Sequence, residues 1–140
     1  MSLTGCLWGT GTGNPEKQPA SDSNSLFTLR SYVCVKLTNC YNLLSANDCQ
    51  AGMGVQTNID TELGLSEGQY DSYEEVEDAV YDGVLSPHLA AVSQCADDIY
   101  QLSCEDLDAR DVYDPLKSNP YENLKNIFSP ACEGIFGGVL

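Results

Sequence analysis

Cysteine is the residue type in this sequence whose chemistry is easiest to interpret. The chain of 140 residues has seven of them, at Cys6, Cys34, Cys40, Cys49, Cys95, Cys104 and Cys132. Such a cysteine content is common in exported proteins and unusual in a reducing cytosol. Because disulfide bonds use cysteines in pairs, an odd number leaves one thiol for another purpose. Cys6 stands apart from the other six, which predicts three disulfides and one separate cysteine.

Each expected disulfide joins helices or turns that the apolar pattern of the sequence suggests are in contact. The expected pairs are Cys40 with Cys49, Cys34 with Cys95, and Cys104 with Cys132. The first would close the turn between the first two helices, where the two cysteines are near each other in sequence. A zinc site is the alternative use of these thiols, but the sequence has no Cys-x-x-Cys pair. Three disulfides are therefore favoured over a metal site.

Carboxylates are the second group of residues that could carry chemistry. The chain has 21 acidic and six basic residues and a net charge of −15, which excludes nucleic acid as an expected partner. The acids are dense in segment 105–114, and loops rich in carboxylates can bind Ca²⁺. The candidate ligands are Asp106, Asp108, Asp111 and Asp114. Because the EF-hand spacing is not kept, a solvated acidic surface is the favoured interpretation and a calcium site is the alternative.

Tyrosines cluster around the acidic region and are candidate contact residues. The candidates are Tyr70, Tyr73, Tyr81, Tyr100 and Tyr113. Tyrosine combines a large apolar ring with a polar tip and is enriched in recognition surfaces, although it is equally common at the edge of a small core. Together with the acids, these residues predict a contact surface for a partner of basic character, either an envelope protein or a glycan.

Catalytic patterns are weak in this sequence. His88 is its only histidine, and neither Gly-x-Ser-x-Gly nor His-Glu-x-x-His is present. The glycine-rich segment 9–13 lacks the lysine and the helix that follow in a phosphate-binding loop. We therefore expect a protein that is not an enzyme and that needs no cofactor.

The apolar pattern predicts the helices that position these residues. Apolar side chains from Leu26 to Leu44 recur every three or four residues, as on one face of a helix. Further helices are expected at 46–58 after the N-cap Ser45, from Ser72 to about residue 84, and at 87–102. Segment 105–118 is expected to be a connection. A short helix is expected from residue 119 and a last turn from residue 129. Strand signals are nearly absent, so the predicted fold is an all-α bundle of four to five short helices held by three disulfides.

The composition changes near residue 25 and indicates two parts. Residues 1–25 are rich in Gly, Ser, Thr, Asn and Pro and predict a flexible tether, whereas 26–140 carries the apolar pattern of a helical domain.

The tetrapeptide Leu3-Thr4-Gly5-Cys6 resembles the lipobox of bacterial lipoproteins. This resemblance implies that Cys6 becomes the acylated N-terminus and that the protein is held at a membrane by its lipid. The basic and apolar segments that precede a lipobox in a precursor are absent, so we expect the sequence to begin just upstream of the lipidation site. The alternative is an unpaired thiol in a terminal segment.

The pattern from Cys95 through Cys104 to Cys132 resembles one in small cysteine-rich lipoproteins of Gram-negative bacteria, a group mostly of unknown function. The resemblance implies export, and Leu7, in place of the Asp that often signals retention in the inner membrane, favours the outer membrane. The sequence thus predicts a lipid-anchored binding or structural module without enzymatic activity. A calcium-binding domain and a carrier of a small apolar ligand are the alternatives.

Overall fold

The computed structural model describes residues 20–137, with side chains from residue 23 onwards. Cys6 and residues 1–19 of the expected tether lie outside the described residues. Between residues 20 and 137 the secondary structure is helical and contains no strand, which confirms the all-α fold. The helices are α1 (Ala20–Cys40), α2 (Ala46–Gly54), α3 (Tyr73–Tyr81), α4 (Leu89–Gln101) and α5 (Cys104–Ala109). Three short 3-10 helices cover Thr61–Leu63, Leu124–Ile127 and Pro130–Gly134. None of the helices in the described part is long and apolar enough to cross a bilayer.

Helix α1 is the element against which α2, α3 and α4 all pack. Its stripe of Leu26, Leu29, Val33 and Leu37 is buried, as the spacing of these residues predicts. The helix begins at Ala20, before the predicted start, and ends at Cys40. The prediction that it continues to Leu44 was wrong, because the chain turns after Cys40 and brings Leu44 into the core.

Serine caps fix where α2 and α3 begin. The hydroxyl of Ser45 accepts a hydrogen bond from the Asp48 amide, and the hydroxyl of Ser72 accepts one from the Glu75 amide. Both caps confirm the prediction. Helix α2 ends at Gly54 rather than at residue 58. Helix α3 ends at Tyr81, so Val84 lies beyond it and is 71% exposed instead of continuing its apolar face.

Helix α4 runs in the same direction as α1. The ammonium group of Lys36 donates a hydrogen bond of 2.7 Å to the carbonyl of Leu102, and four residues later Cys40 bonds to Cys104. The helix begins at Leu89 with His88 as its N-cap, two residues later than predicted from Pro87.

The predicted connection 105–118 was partly wrong, because its first residues form α5. Ser103 and Asp106 form a capping box, in which each side chain accepts a hydrogen bond from the other residue's backbone amide. The helix expected from residue 119 is instead a set of turns followed by the 3-10 helix Leu124–Ile127. The predicted last turn is confirmed as the 3-10 helix Pro130–Gly134.

All six cysteines of the described part are paired, but the three predicted pairings were wrong. The observed disulfides are Cys34–Cys49, Cys40–Cys104 and Cys95–Cys132, with Cα–Cα distances of 5.7, 5.4 and 4.7 Å. Cys34 and Cys40 are six positions apart, which places them roughly 120° apart around α1, so they face different elements.

The way in which the helices pack explains why each predicted disulfide pairing was wrong. Helix α2 folds back along α1 and brings Cys49 to Cys34, rather than to Cys40 at the end of α1. Cys40 instead meets the start of α5. The 3-10 helix Pro130–Gly134 packs on α4, so Cys132 reaches Cys95 and not Cys104.

Candidate functional site

A groove lined mainly by apolar and uncharged side chains lies between α1 and α4. Each helix presents a second stripe to it beside its core stripe, with residues spaced by three or four so that they share a face. On α1 the stripe consists of Thr28, Tyr32, Val35 and Asn39. On α4 it includes Leu89, Ser93, Ala96 and Tyr100. Because the two helices are parallel, the stripes run side by side, and we call this surface the α1–α4 groove.

The groove has two connected depressions of about 390 Å³ and 280 Å³, both open to solvent and both lined by Thr28 and Tyr32. Its upper walls are large apolar side chains that remain accessible: Tyr32 is 47% exposed, Val35 59% and Tyr100 72%. Exposed apolar residues are ordinary when scattered, whereas a contiguous patch marks a surface that binds something. The groove is therefore a candidate docking surface.

One charge of each sign lies in the groove. The Lys36 ammonium lies 5.5 Å from the centroid of the Tyr100 ring, a cation–π distance, while it also bonds the Leu102 carbonyl. Asp97 is exposed on the α4 side of the second depression. Apart from these two residues the lining is uncharged, so the groove is electrically balanced.

This balance contrasts with the rest of the surface. Segments 23–40 and 85–103, which include the groove, contain two basic and two acidic residues. The other residues from 23 to 137 contain 17 acids and three bases. The groove itself therefore carries no net charge, because Lys36 and Asp97 are the charged residues that line it, whereas the rest of the described part is strongly negative.

The predicted tyrosine surface is not one surface. Tyr73 is fully buried and its hydroxyl donates to the Leu26 carbonyl, and Tyr113 is 9% exposed. Tyr70 is half-buried against the core. Tyr81 and Tyr100 are exposed, but only Tyr100 lies in the groove. The expectation of a single tyrosine contact face is therefore corrected.

Tyr113 belongs to an aromatic cluster that holds the C-terminal segment against the end of α1. Its ring centroid lies 5.0 Å from that of Tyr41 and 5.8 Å from that of Tyr121. The Tyr41 hydroxyl donates a 2.6 Å hydrogen bond to Asp108. Burial, followed by this bond and the negative charge of Asp108, raises the pKa of Tyr41. The cluster is a packing contact that the sequence interpretation overlooked.

The four candidate calcium ligands are each occupied by local hydrogen bonds. Asp106 caps α5, Asp108 accepts from Tyr41, Asp111 accepts from Lys117 and Asn123, and Asp114 accepts from the Leu116 amide. The bond from Lys117 is the main reason that the pKa of Asp111 is lowered. Across residues 23–137, no three His, Cys, Asp or Glu side chains converge as metal ligands would. The arrangement therefore does not favour the calcium alternative.

A buried ion pair is the other notable polar feature. Arg30 on α1 and Glu77 on α3 lie 2.7 Å apart with side-chain exposures of 13% and 11%, and Arg30 also donates to the Gln50 carbonyl. Burial raises the pKa of Glu77 to about 7, against the opposing effect of Arg30. Gly54 leaves room for the guanidinium group, because a Cβ there would lie 2.6 Å from Arg30 Nη1. This pair is a structural contact between helices.

Sequence reasoning missed the groove although a signal for it was present. Tyr32 and Val35 are apolar, yet they lie outside the core stripe of α1, which indicates a second apolar face. Leu89 shares the helical spacing of the buried Val92 and Ala96, yet it is 42% exposed at the end of the groove. Phe27 is also exposed on α1 but lies on the side of Arg30, so an exposed apolar residue alone does not locate the groove.

The comparisons with known proteins give no family to which this arrangement can be assigned. No protein-family model, curated protein sequence or solved structure matches the chain.

Proposed function

We propose that this protein is a non-enzymatic lipoprotein of the bacterial envelope, anchored in the outer membrane by acyl chains on Cys6. The observation that supports the anchor is the pairing of the other cysteines. The other six cysteines bond to one another, so no cysteine of the chain remains as a disulfide partner for Cys6. Three disulfides also favour an oxidising compartment, in agreement with export.

The anchor is tested by the mass of the N-terminal peptide of the protein isolated from its natural host. The expected peptide begins at Cys6 and carries a diacylglycerol group together with the amide-linked acyl chain of bacterial lipoproteins. A peptide that continues through Gly5 to earlier residues, with an unmodified thiol, would disprove the proposal. In the same host, Cys6→Ser should move the protein out of the membrane fraction while the three disulfides still form.

As a binding module, the protein would recruit a basic envelope protein or glycan. The support is the distribution of charge, since residues 23–137 contain 17 acids but three bases outside segments 23–40 and 85–103. The negative electrostatic potential of these acids accelerates the encounter with a positively charged partner, and it weakens as salt is added. On α3, Glu74, Glu75 and Asp78 are exposed and contribute to this potential.

The recruiting role is tested by a pull-down from envelope extract with the wild-type protein and with a variant in which Glu74, Glu75 and Asp78 are changed to the corresponding amides. The expected result is a partner captured by the wild type, released by salt and captured less well by the variant. Equal capture by both proteins would contradict a role for this acidic surface.

Transport of a small apolar ligand is the second candidate function, and the α1–α4 groove is the observation that favours it. Depressions of about 390 Å³ and 280 Å³ lie within the size range of small-molecule sites, or just below it. Titration with dodecanoate, followed by isothermal titration calorimetry, tests it. Saturable binding that Val35→Asp abolishes would support a carrier, and the absence of binding would exclude this ligand class.

A further inference from the structure

The α1–α4 groove is an apolar surface on a strongly acidic protein, and charge restricts what can cover it. A basic partner would be drawn to the 17 acids that lie elsewhere rather than to a groove that contains only Lys36 and Asp97 as charged residues. The occupant should itself have an apolar, charge-balanced surface. A second copy of this chain has such a surface in the groove itself.

We propose that the α1–α4 groove is the contact surface between two copies of this chain. Two molecules of charge −15 repel each other, and the repulsion is smallest where each presents no net charge. Among the described residues, the α1–α4 groove is such a place, because its lining contains one positive charge, Lys36, and one negative charge, Asp97. The same groove carries Tyr32, Val35 and Tyr100, whose exposed surface would leave water when two copies meet.

A two-fold axis through the groove also satisfies its two charges. In a two-fold interface each contact occurs twice: if a residue of the first subunit contacts another residue of the second, the same two residues also meet with the subunits exchanged. Lys36 can therefore lie near the partner subunit's Asp97, while Asp97 lies near the partner subunit's Lys36. Lys36 and Asp97 line neighbouring parts of the groove on opposite helices, so both pairs can form around one axis.

The composition of the groove fits such a contact. Tyrosine is enriched in protein interfaces, and interface cores are depleted of charge. The stripe from Thr28 to Asn39 extends over roughly 16 Å of helix, so two copies would pack four helices around a common apolar centre. This inference goes beyond the proposed function, because it requires neither the lipid anchor nor the basic partner.

The test is the oligomeric state of the full chain carrying Cys6→Ser, which prevents dimers linked through that thiol. Sedimentation equilibrium should show a monomer–dimer equilibrium at protein concentrations up to about 1 mM. Val35→Asp and Tyr100→Ser should each weaken the dimer by about tenfold or more. Val84→Asp and Tyr81→Ser are matched controls, since Val84 and Tyr81 are 71% and 70% exposed outside the groove, and they should leave the dimer intact.

Salt distinguishes this dimer from a charge-driven complex. Added NaCl screens the repulsion between two acidic molecules, so the dimer should become tighter, whereas a complex with a basic partner should become weaker. Far-UV circular dichroism and the masses of disulfide-linked peptides verify that each variant is folded. A monomer at all concentrations, or equal weakening by the groove variants and their controls, would overturn the proposal. Dodecanoate binding by a monomer would likewise assign the groove to a ligand instead of a second copy.

Discussion

Arg30 and Glu77 join α1 to α3 through an ion pair of 2.7 Å that is almost removed from water. The contact is only partly satisfied, because Arg30 Nε and Glu77 Oε2 have no hydrogen-bond partner among the described residues. Loss of water disfavours the charged carboxylate, and this cost exceeds the stabilisation by Arg30, so the pKa of Glu77 rises to about 7. The ion pair should therefore make the stability of the fold depend on pH.

The direction of this pH dependence follows from the difference in proton binding between the folded and the unfolded protein. With a pKa of about 7 in the folded protein and the ordinary value of 4.5 in the unfolded chain, Glu77 binds its proton more tightly when the protein is folded. The free energy of unfolding should therefore receive its full contribution from Glu77 below pH 4.5 and lose it as the pH rises to 7. The loss should be roughly 3 kcal/mol.

Urea denaturation at several pH values measures this effect by comparison with Glu77→Gln, which cannot titrate. The difference in unfolding free energy between wild type and Glu77→Gln should change from about pH 4.5 through the folded pKa of about 7 and become constant about one pH unit above it. Glu75→Gln, an exposed change on the same helix, is the control and should not alter the pH profile. A constant difference between wild type and Glu77→Gln would contradict the raised pKa.

The disulfides should differ in their resistance to reduction. Cys34, Cys49, Cys95 and Cys132 are buried, whereas Cys104 is exposed and Cys40 is half-buried. Because exchange requires access of a thiolate to sulfur, Cys40–Cys104 should be reduced first under native conditions. Brief treatment with dithiothreitol, alkylation and peptide mass analysis should show label at Cys40 and Cys104 before any other pair. Linkage of Cys40 to Cys49 in the unreduced protein would contradict the disulfide pattern.

Two glycines with positive φ provide a matched pair of substitutions. Gly64 has a φ of 88° and Gly83 a φ of 81°, so alanine is strained at both positions. A Cβ at Gly64 would also overlap the Glu133 carbonyl oxygen, whereas a Cβ at Gly83 meets nothing within 4 Å. Gly64→Ala should cost about 2 kcal/mol more than Gly83→Ala, measured as the difference in urea midpoints. Equal losses would mean that the contact of Gly64 with the C-terminal segment is absent.

Local features of the fold could be predicted from the sequence because they depend on neighbours along the chain. The caps at Ser45 and Ser72 need only the backbone amides three residues later, and the buried stripe of α1 needs only the helical repeat. Helix α5 was missed although Ser103 and Asp106 carry the same kind of signal, because the acids and Pro115 that follow indicated a connection.

The disulfide pattern and the site could not be predicted in the same way, because they depend on how helices meet. Cys40 and Cys49 are near in sequence, but the direction in which α2 runs along α1 places Cys49 next to Cys34. Tyr73 and Tyr81 lie at opposite ends of one helix, yet Tyr73 is buried and Tyr81 is exposed. The groove requires that α4 runs parallel to α1, and no local pattern in the sequence specifies this direction.

Substitution of Gln56 should lower the stability of the fold more than substitution of most other polar residues. Gln56 is 4% exposed, its amide nitrogen donates to the carbonyls of Gly52 and Tyr121, and its side-chain oxygen accepts from the Lys125 amide at 2.9 Å. It therefore joins the end of α2 to the C-terminal segment. Gln56→Leu would leave the Lys125 amide without its partner and remove one hydrogen bond each from the carbonyls of Gly52 and Tyr121, and each unsatisfied buried group costs about 1–3 kcal/mol.

We expect Gln56→Leu to lower the free energy of unfolding by about 3 kcal/mol in urea denaturation. Gln101→Leu makes the same change at an exposed position at the end of α4 and should alter stability by less than about 0.5 kcal/mol. Because both variants add the same apolar side chain, the difference between them isolates the buried hydrogen bonds. If the two variants were equally stable, the hydrogen bonds of Gln56 would not contribute to stability, and the segment after residue 120 would depend on its other contacts, among them the disulfide Cys95–Cys132 and the contact between Tyr113 and Tyr121.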